Sequence, residues 1–451
     1  KKYQTMSLVR GEFSSRFGFL MAASGSAVGL GNIWGFPTNA ASNGGAAFLC
    51  AYLFLAFALA YPALMAELII GRAARANGIS ALQSISSGNK SRLAAFLVGF
   101  AGMITVTFIL SFYSIVSGWM IAHFFDSIAE IFNLMTISNW LTSDAPLRNS
   151  LFVILFVLLT VKIISAGVKD GIEKWASRLM PSLLILLILL IFYVFSLPGA
   201  MDGLRVYLVP DFTQLSDPAL LVDAMGQAFF SLSLGVGTML IYGSYISDKE
   251  NLPALGGLVA LLDIGIAVIA GLLILPAMYV ALSNGVEIFD SNGEFIAGPG
   301  LIVSVLPNLF QTMGAGGILV SLAFFSLMTI ASLTSSISML EVPVSYAIEY
   351  HGISRKRASI WIGTLVTLIS LLIVFNFDPL FDQVVSITTE LSQPLLGLAF
   401  CIFAAWVWQR DEVLKEIKKG SPNVENSVFW RVWPFYVKFI CPVAILIVYF
   451  Q

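Results

Sequence analysis

The chain has 451 residues, of which 58% are hydrophobic and only 11% are charged. A soluble domain carries roughly 25% charged residues, so this composition excludes a water-soluble protein and indicates one that crosses a membrane repeatedly. The net charge of -2 offers no basic surface for nucleic acid, and no Pro-rich or Ser-rich linker divides the chain. We therefore expect a single membrane domain over residues 1–451.

The N-terminal segment, residues 1–11, is polar and lacks the apolar region of a secretory signal peptide, so we expect the first span to direct insertion. Three cysteines, at positions 50, 401 and 441, lie in apolar runs and match neither a disulfide framework nor a zinc site. Two histidines, and no nucleophile with a partnered base, argue against an enzyme.

Hydrophobic windows separated by charges and turn residues predict eleven membrane-spanning helices. They cover residues 14–38, 46–71, 93–125, 149–167, 175–197, 219–246, 252–282, 316–349, 358–376, 382–408 and 432–450. Between the seventh and eighth spans, residues 283–315 mix Gly, Asn and Pro with short apolar stretches. This segment is interpreted either as a lid over an outer vestibule or as an ordinary long loop.

The distribution of cations predicts the orientation of these spans. With the N-terminus in the cytoplasm, 22 of the 24 Lys and Arg residues lie on or near the inner side, and only Arg148 and Arg205 lie outside. Because cytoplasmic segments retain Lys and Arg, this asymmetry predicts a cytoplasmic N-terminus and an external C-terminus.

Small residues interrupt the first and sixth predicted spans. Gly25, Gly29 and Gly31 fall within seven positions of the first span, and Gly235 and Gly237 follow a Ser-rich stretch in the sixth. Matched breaks in the two halves predict inverted repeats over about 14–197 and 219–408, with an extra helix at about 432–450. Unwinding exposes carbonyls to cations and N–H groups to an anion, whereas small-residue packing is the usual explanation of a single Gly pair. Two matched breaks favour a binding site.

Polar residues accompany these breaks. Asp263 lies inside the seventh span, where an unpaired carboxylate is so unfavourable that a bound Na+ is expected to compensate it. Asn32 adjoins the first break and Ser231 the sixth. The eighth span carries a hydroxyl-rich run, residues 331–336, which suits an alkali cation, although such runs commonly bond to their own helix.

Motifs along nearly the whole chain resemble the neurotransmitter:sodium symporter family and its prokaryotic, LeuT-like amino acid transporters. The resembling stretches are residues 15–18, 25–34, 36–37, 43–48, 67–72, 167–181, 226–235 and 333–337. The resemblance implies the LeuT fold, an all-α membrane protein of five-plus-five inverted repeats with eleven helices, the first and sixth broken. It also implies Na+-coupled import of hydrophobic amino acids by alternating access across a bacterial inner membrane.

The resemblance further implies two Na+ sites. The first would use the Ala27 carbonyl, Asn32, Ser231 and Asp263, with the substrate carboxylate as a further ligand. The second would use the Gly25, Val28 and Ala331 carbonyls with the Thr334 and Ser335 hydroxyls. Position 263 is Asn in many relatives. A carboxylate there is expected to stand in for the chloride that animal members require, which predicts chloride-independent transport.

For the substrate carboxylate, the resemblance implies the Leu30 and Gly31 N–H groups and the Tyr113 hydroxyl, unless Tyr113 is an ordinary interfacial tyrosine. Gly29 replaces the Asp that holds an amine in monoamine-carrying relatives, which favours amino acids. The expected side-chain pocket comprises Ile109, Phe230, Ser233, Val236 and Met339, with Ser26 and Ser335 at its margins and Ala27 and Ser231 shared with the first Na+ site. Val236 is smaller than the usual residue, so aromatic substrates such as tryptophan or phenylalanine are expected to fit as well as leucine.

Both gates depart from the family pattern. For the cytoplasmic gate, the resemblance implies an ion pair between Arg10 and Glu349, supported by Phe13 and Tyr245. The alternative is that Arg10 is only a positive-inside anchor. Glu349 replaces the usual Asp and Phe13 replaces a Trp. At the outer gate, Gly35 stands where the family places an Arg that would pair with an acid near Asp382. Tyr113 and Phe230, with Trp34 nearby, are expected to form the outer lid instead.

Three further acids lie within predicted spans. Glu67 is expected to accept hydrogen bonds from donors freed by the sixth-span break, whereas Glu341 and Glu390 have no assigned role and leave a proton path open. Two alternative functions also stay open, symport of another small zwitterion and an amino-acid sensor that binds without transport. The expected partners are an amino acid, Na+ and membrane lipid, in a monomer or loose dimer.

Overall fold

The computed structural model describes residues 11–210, 212–213, 217–296 and 300–450, without the side chains of Trp34 and Phe230. Arg10 therefore lies outside the described residues. The described helices, numbered in chain order, are α1 (Arg16–Ala27), α2 (Gly31–Ser42), α3 (Ala46–Ala74), α4 (Gly78–Ser84), α5 (Asn89–Ile131), α6 (Met135–Leu141), α7 (Pro146–Ser165), α8 (Val168–Phe195), α9 (Ala200–Leu208), α10 (Pro218–Ser231), α11 (Thr238–Gly243), α12 (Leu252–Ser283), α13 (Leu301–Thr312), α14 (Ala315–His351), α15 (Arg355–Phe375), α16 (Phe377–Val407), α17 (Arg410–Lys418) and α18 (Val428–Tyr449).

Within the described ranges, nine helices are long and apolar enough to cross a membrane, and a tenth span forms if α1 and α2 are taken together. These two helices are bent by 72° where the first predicted span was expected to break. The sixth predicted span consists of α10 and α11, which are separated by residues 232–237 and are each too short to cross alone. The all-α architecture is confirmed, and the predicted count of eleven is reached only if α10 and α11 form one broken span.

Left-handed backbone conformations explain the break between α10 and α11. Ser233, Gly235 and Gly237 have φ angles of 52°, 85° and 79°. Glycine adopts these values without steric cost, whereas a residue with a Cβ loses about 1–2 kcal/mol there. In the first break, Val28 leaves the helix with extended torsion angles, and its N–H closes α1 by donating to the Ser24 carbonyl (2.7 Å).

Both breaks lie inside the packed bundle. α1 packs against α8, α12 and α14, and α14 packs most extensively against α5, while α11 fits between α3 and α14. Val28 and Leu30 in the first break and Leu234 in the second are at most 3% exposed. Because lipid offers no hydrogen bonds, an unwound backbone at membrane depth is tolerated only where protein surrounds it. The helices thus place two sets of free backbone groups side by side in the core.

The described residues between α12 and α14 include a short bridge and a helix. Residues Phe289 and Phe295 form an isolated antiparallel bridge, and α13 follows it. Leu301, Ile302 and Leu309 of α13 are buried, and the helix packs against α12 and α14. The described part of this predicted lid or loop therefore comprises a short bridge and a helix that packs against the bundle.

Candidate functional site

A polar cluster joins the two breaks through Asp263, which is fully buried on α12. The Asn32 side-chain N–H2 group donates to the Asp263 carboxylate (2.8 Å) and to the Ser231 hydroxyl (2.9 Å). Ser231 in turn donates to the second carboxylate oxygen of Asp263 (2.6 Å). No Lys or Arg among the described residues forms an ion pair with this carboxylate. The cluster thus presents hard oxygen atoms and a carboxyl group without a cationic partner, a donor set that fits a monovalent cation.

A second polar cluster links α1 to α14. The Ser335 hydroxyl lies within hydrogen-bond distance of both the Gly25 and Val28 carbonyls (3.1 Å each). Thr334 bonds to the Ala331 carbonyl on its own helix (3.0 Å). A Cβ added at Gly25 would lie 2.9 Å from the Cβ of Thr334, so only glycine permits this close approach. All five residues predicted for the second Na+ site are brought together, and each contributes an oxygen atom.

A cavity of about 110 Å³ lies beside both clusters. One water molecule needs roughly 10–15 Å³ on this measure, so the space suits a small molecule. Its walls contain most of the predicted substrate residues, namely Ser26, Ala27, Leu30, Gly31, Ile109, Tyr113, Ser233, Val236, Ser335 and Met339. Ser231 is outside these walls and belongs to the Asp263 cluster, and the side chain of Phe230 lies outside the described residues.

Two features place hydrogen-bond donors at one end of this cavity. The Tyr113 hydroxyl is buried and has no hydrogen-bond partner of normal geometry in the described structure, although the Ser335 hydroxyl and the Leu30 N–H lie near it. It lies near Gly29, where an added Cβ would be 3.3 Å from the hydroxyl and 3.2 Å from the Ser335 hydroxyl. The N-terminus of α2, which begins at Gly31, faces the same cavity and has backbone N–H groups without intrahelical partners. These donors suit a carboxylate.

Sequence reasoning missed five cavity residues, which are Val106, Phe112, Thr238, Thr389 and Gln393. Thr238 is the first residue of α11, and its buried hydroxyl has no partner in the described structure. Its position directly after Gly237 was a usable signal, because a helix start beside a break faces the same space. Thr389 and Gln393 share one face of α16 at a spacing of four residues, but nothing in the sequence showed that this face meets the cavity.

The other three acids that were predicted to lie within spans, Glu67, Glu341 and Glu390, all have hydrogen-bond partners. Glu67 accepts a hydrogen bond from the Gly235 N–H (2.7 Å), which confirms its predicted role at the sixth-span break. Glu341 is fully buried, forms an ion pair with Arg355 (2.7 Å) and accepts a hydrogen bond from the Tyr245 hydroxyl. Glu390 is exposed and accepts a hydrogen bond from Ser386 (2.6 Å).

The predicted gate residues are only partly described. Phe13 packs edge-on against Tyr245, with ring centroids 6.2 Å apart, and its N–H donates to the Tyr245 carbonyl (3.0 Å). Glu349 accepts hydrogen bonds from both the backbone and the side chain of Asn77 (2.8 and 2.7 Å). Its predicted partner Arg10 lies outside the described residues. Open space surrounds the position of an added Gly35 Cβ, and Asp382 is exposed.

Comparison with known proteins gives concordant matches. A family model described as the sodium:neurotransmitter symporter family matches residues 10–146 and 131–451. The uncharacterised sodium-dependent transporter YhdH of Bacillus subtilis (strain 168) is 32% identical over 453 residues, covering 97% of this chain and 96% of the relative. The sodium-dependent serotonin transporter of Drosophila melanogaster is 26% identical over 482 residues, covering 96% of this chain and 74% of its own. The crystal structure of MhsT in complex with L-phenylalanine matches with a TM-score of 0.81 and 36% identity, covering 98% of this chain and 99% of that one.

Proposed function

Because the chain belongs to the sodium:neurotransmitter symporter family, a family of multi-pass membrane transporters that use Na+, we propose that it imports hydrophobic L-amino acids in symport with Na+. One observation carries the choice of substrate. An apolar cavity ends at an unpartnered, buried Tyr113 hydroxyl and at the N-terminus of α2. An amino acid with an apolar side chain matches both parts of this space. The L-phenylalanine bound by the related MhsT supports the same class.

In this proposal, the substrate carboxylate receives hydrogen bonds from the Leu30 and Gly31 N–H groups and from Tyr113. Gly29 leaves room for the carboxylate, because a Cβ there would crowd both nearby hydroxyls. The substrate side chain points towards Ile109, Val236 and the other apolar wall residues. Bound substrate would accept a hydrogen bond from the buried Tyr113 hydroxyl, which has no partner of normal geometry in the described structure. Such a bond removes the cost of leaving a buried polar group unpaired.

We assign the first Na+ to the Ala27 carbonyl, Asn32, Ser231 and Asp263. The ion supplies the positive charge that the buried Asp263 lacks among the described ion pairs. Since Ala27 and Asn32 also line the cavity, a substrate carboxylate there lies next to the ion. Each ligand then improves the site of the other, and linkage makes this effect reciprocal. With the charge of Asp263 in place, chloride is not required.

A second Na+ is assigned to Gly25, Val28, Ala331, Thr334 and Ser335. In this assignment, three carbonyls and two hydroxyls from α1, the first break and α14 would surround the ion, and no carboxylate takes part. Such a neutral oxygen shell suits a monovalent ion of low charge density. Because its ligands come from both helices, the ion joins them only when they are close together. We propose that its release on the cytoplasmic side accompanies their separation.

Transport by alternating access then follows from the repeats. We propose that the repeats at about 14–197 and 219–408 move relative to each other around the central site, with about 432–450 as an additional helix. Phe13, Tyr245 and Glu349 belong to the cytoplasmic closure, and Tyr113 belongs to the outer one. We place the protein in the bacterial inner membrane as a monomer or loose dimer, with the N-terminus in the cytoplasm and the C-terminus outside.

Equilibrium binding of radiolabelled L-phenylalanine and L-leucine to the purified protein tests the site. Binding is expected to require Na+ and to fall at least tenfold in the Tyr113→Phe variant, which removes only one hydroxyl. Tyr193→Phe, which alters a partly exposed tyrosine on α8 that does not line the cavity, is the matched control and is expected to bind normally. Unaltered binding in Tyr113→Phe, or equal binding when K+ replaces Na+, would contradict the assignment.

A further inference from the structure

A second and larger cavity, of about 330 Å³, lies away from the substrate site, between the end of α16 and the start of α18. We call it the α16–α18 groove and define it by Trp408, Arg410, Trp430, Arg431, Phe435 and Lys438. Trp408 and Trp430 are buried and form its floor, whereas both arginines are exposed at its mouth. None of the proposed substrate or ion ligands takes part in it.

The groove has an excess of positive charge. Arg410, Arg431 and Lys438 line it, and none of the three forms an ion pair with any acid in the described part of the chain. Arg410 lies over the Trp430 ring, 5.4 Å from its centroid, and Lys438 lies over the Trp406 ring at 4.4 Å. Aromatic faces hold the two cations in place but leave their charge uncompensated.

Nearby acids are used elsewhere. Glu412 accepts a hydrogen bond from the Trp408 indole (3.1 Å), and Glu416 pairs with the buried Arg72 (2.8 Å). Glu425 pairs with Lys418, and Asp411 does not line the groove. The three cations of the groove therefore lack an acidic partner among the described residues, and an anionic ligand would supply one.

The position of the groove indicates where that anion comes from. The groove lies at the point where two membrane spans end and begin, at Val407 and Val428. Phe435 and Phe439, which line the groove, and Trp406 beside it are 54%, 43% and 56% exposed. Exposed aromatic side chains of this kind sit at the headgroup level of a bilayer. Their apolar surface can contact acyl chains while the cations hold a phosphate.

We propose that the α16–α18 groove binds one anionic phospholipid, whose phosphate is held by Arg410, Arg431 and Lys438. Its acyl chains lie along Phe435 and Phe439 on the lipid-facing side. A zwitterionic lipid binds less well, because its own ammonium group offsets the attraction to three cations. The lipid bridges α16 and α18 and so stabilises the hairpin that carries α17.

Lipid retention measured by native mass spectrometry tests this site. The full chain is purified from vesicles containing equal amounts of phosphatidylglycerol and phosphatidylcholine. The triple variant R410Q/R431Q/K438Q is compared with K90Q/K356Q/R357Q, which removes the same net charge from exposed positions remote from the groove. We expect wild type and the control to retain one phosphatidylglycerol, and the groove variant to retain at least fivefold less.

Three results would overturn the proposal. These are equal retention of phosphatidylcholine, an equal loss in both triple variants, and displacement of the lipid by millimolar inorganic phosphate, which would indicate a simple anion site. Na+-dependent substrate binding by the groove variant shows that it is folded. If that variant does not fold, the single variants R410Q and R431Q are measured instead, and each is expected to retain less phosphatidylglycerol than wild type.

Discussion

At the scale of single residues, Asp263 carries the strongest argument for ion coupling. Its carboxylate is fully buried, and its described hydrogen-bond partners are the side chains of Asn32 and Ser231. The sequence alone predicted these three residues as a group, because an acid in a span and polar residues at breaks are each unfavourable without a ligand.

The Asp263→Asn variant tests this residue. It keeps the shape of the side chain but removes the charge that balances Na+. With gluconate in place of chloride, so that chloride cannot replace this charge, the Na+ concentration for half-maximal substrate binding is expected to rise at least tenfold, equivalent to about 1.4 kcal/mol. Asp382→Asn, at an exposed position, is the control and is expected to leave this concentration unchanged. An unaltered Na+ dependence in Asp263→Asn would rule out the first-site assignment.

Gly29 offers a test of the carboxylate position. A methyl group there would lie 3.2–3.3 Å from the Ser335 and Tyr113 hydroxyls, in the space assigned to the substrate carboxylate. Gly29→Ala is expected to weaken L-phenylalanine binding at least tenfold in the same assay. Gly35→Ala adds the same methyl group to open space in the next helix and is expected to bind normally. Equal affinities of the two variants would contradict the proposed pose.

Not every site residue could be predicted from sequence. Thr389 and Gln393 enter the cavity because α16 packs against both α3 and α5, a contact between helices far apart in the chain. Hydropathy identifies α16 as a span but does not show which face turns inwards. Residues at the breaks were easier to find, since the unfavourable glycines themselves mark their position.

At the scale of the elements, the link between α10 and α11 depends on Gly235. Its φ is 85°, and an added Cβ would lie 2.2 Å from the Gln393 carbonyl oxygen on α16. Gly237 has a similar φ of 79°, but its nearest neighbours would be 4.0 Å away. A substitution at Gly237 therefore adds backbone strain alone, whereas a substitution at Gly235 adds backbone strain and a steric clash.

Gly235→Ala is therefore expected to lower the melting temperature far more than Gly237→Ala, in which only a strain of about 1–2 kcal/mol is added. Intrinsic fluorescence during heating in detergent measures both variants. If their melting temperatures fall by the same amount, close packing of α16 on the break makes no contribution.

A buried ion pair ties α17 to α3. Arg72 is fully buried and bonds to the Glu416 carboxylate (2.8 Å) and carbonyl (2.5 Å) and to the Glu250 carbonyl (2.8 Å). This pair was not predictable from sequence, because Arg72 and Glu416 are 344 positions apart. The pair therefore fixes α17 to α3 beside the α16–α18 groove.

Arg72→Gln is expected to cost about 3 kcal/mol, because it removes the buried partner of Glu416 and leaves only the half-exposed Lys419 (2.8 Å) to offset its charge. The double variant Arg72→Met with Glu416→Met removes both charges and is expected to recover most of this loss. Arg75→Gln breaks a half-exposed pair with Glu12 and should cost at most about 1 kcal/mol. Thermal melting distinguishes the three variants, and equal losses for Arg72→Gln and Arg75→Gln would refute the argument.

At the scale of the whole molecule, the helical architecture was predictable and the span count less so. Long apolar runs identify a membrane helix directly, whereas α10 and α11 are individually too short. Only the matching break in the first span shows that they belong to one crossing. The groove between α16 and α18 was not predictable, because its three cations come from the start of α17 and from two positions of α18, and they resemble ordinary positive-inside residues in the sequence.

Uptake by proteoliposomes tests the central claim most directly. With an inward Na+ gradient, we expect accumulation of L-phenylalanine or L-leucine above the equilibrium level, no accumulation when K+ replaces Na+, and the same rate when gluconate replaces chloride. Proteoliposomes containing Asp263→Asn, measured in gluconate so that chloride cannot replace the missing charge, provide the control and are expected to show little uptake. Na+-dependent binding without accumulation would indicate a sensor instead, and accumulation that does not depend on the Na+ gradient would contradict Na+-coupled symport.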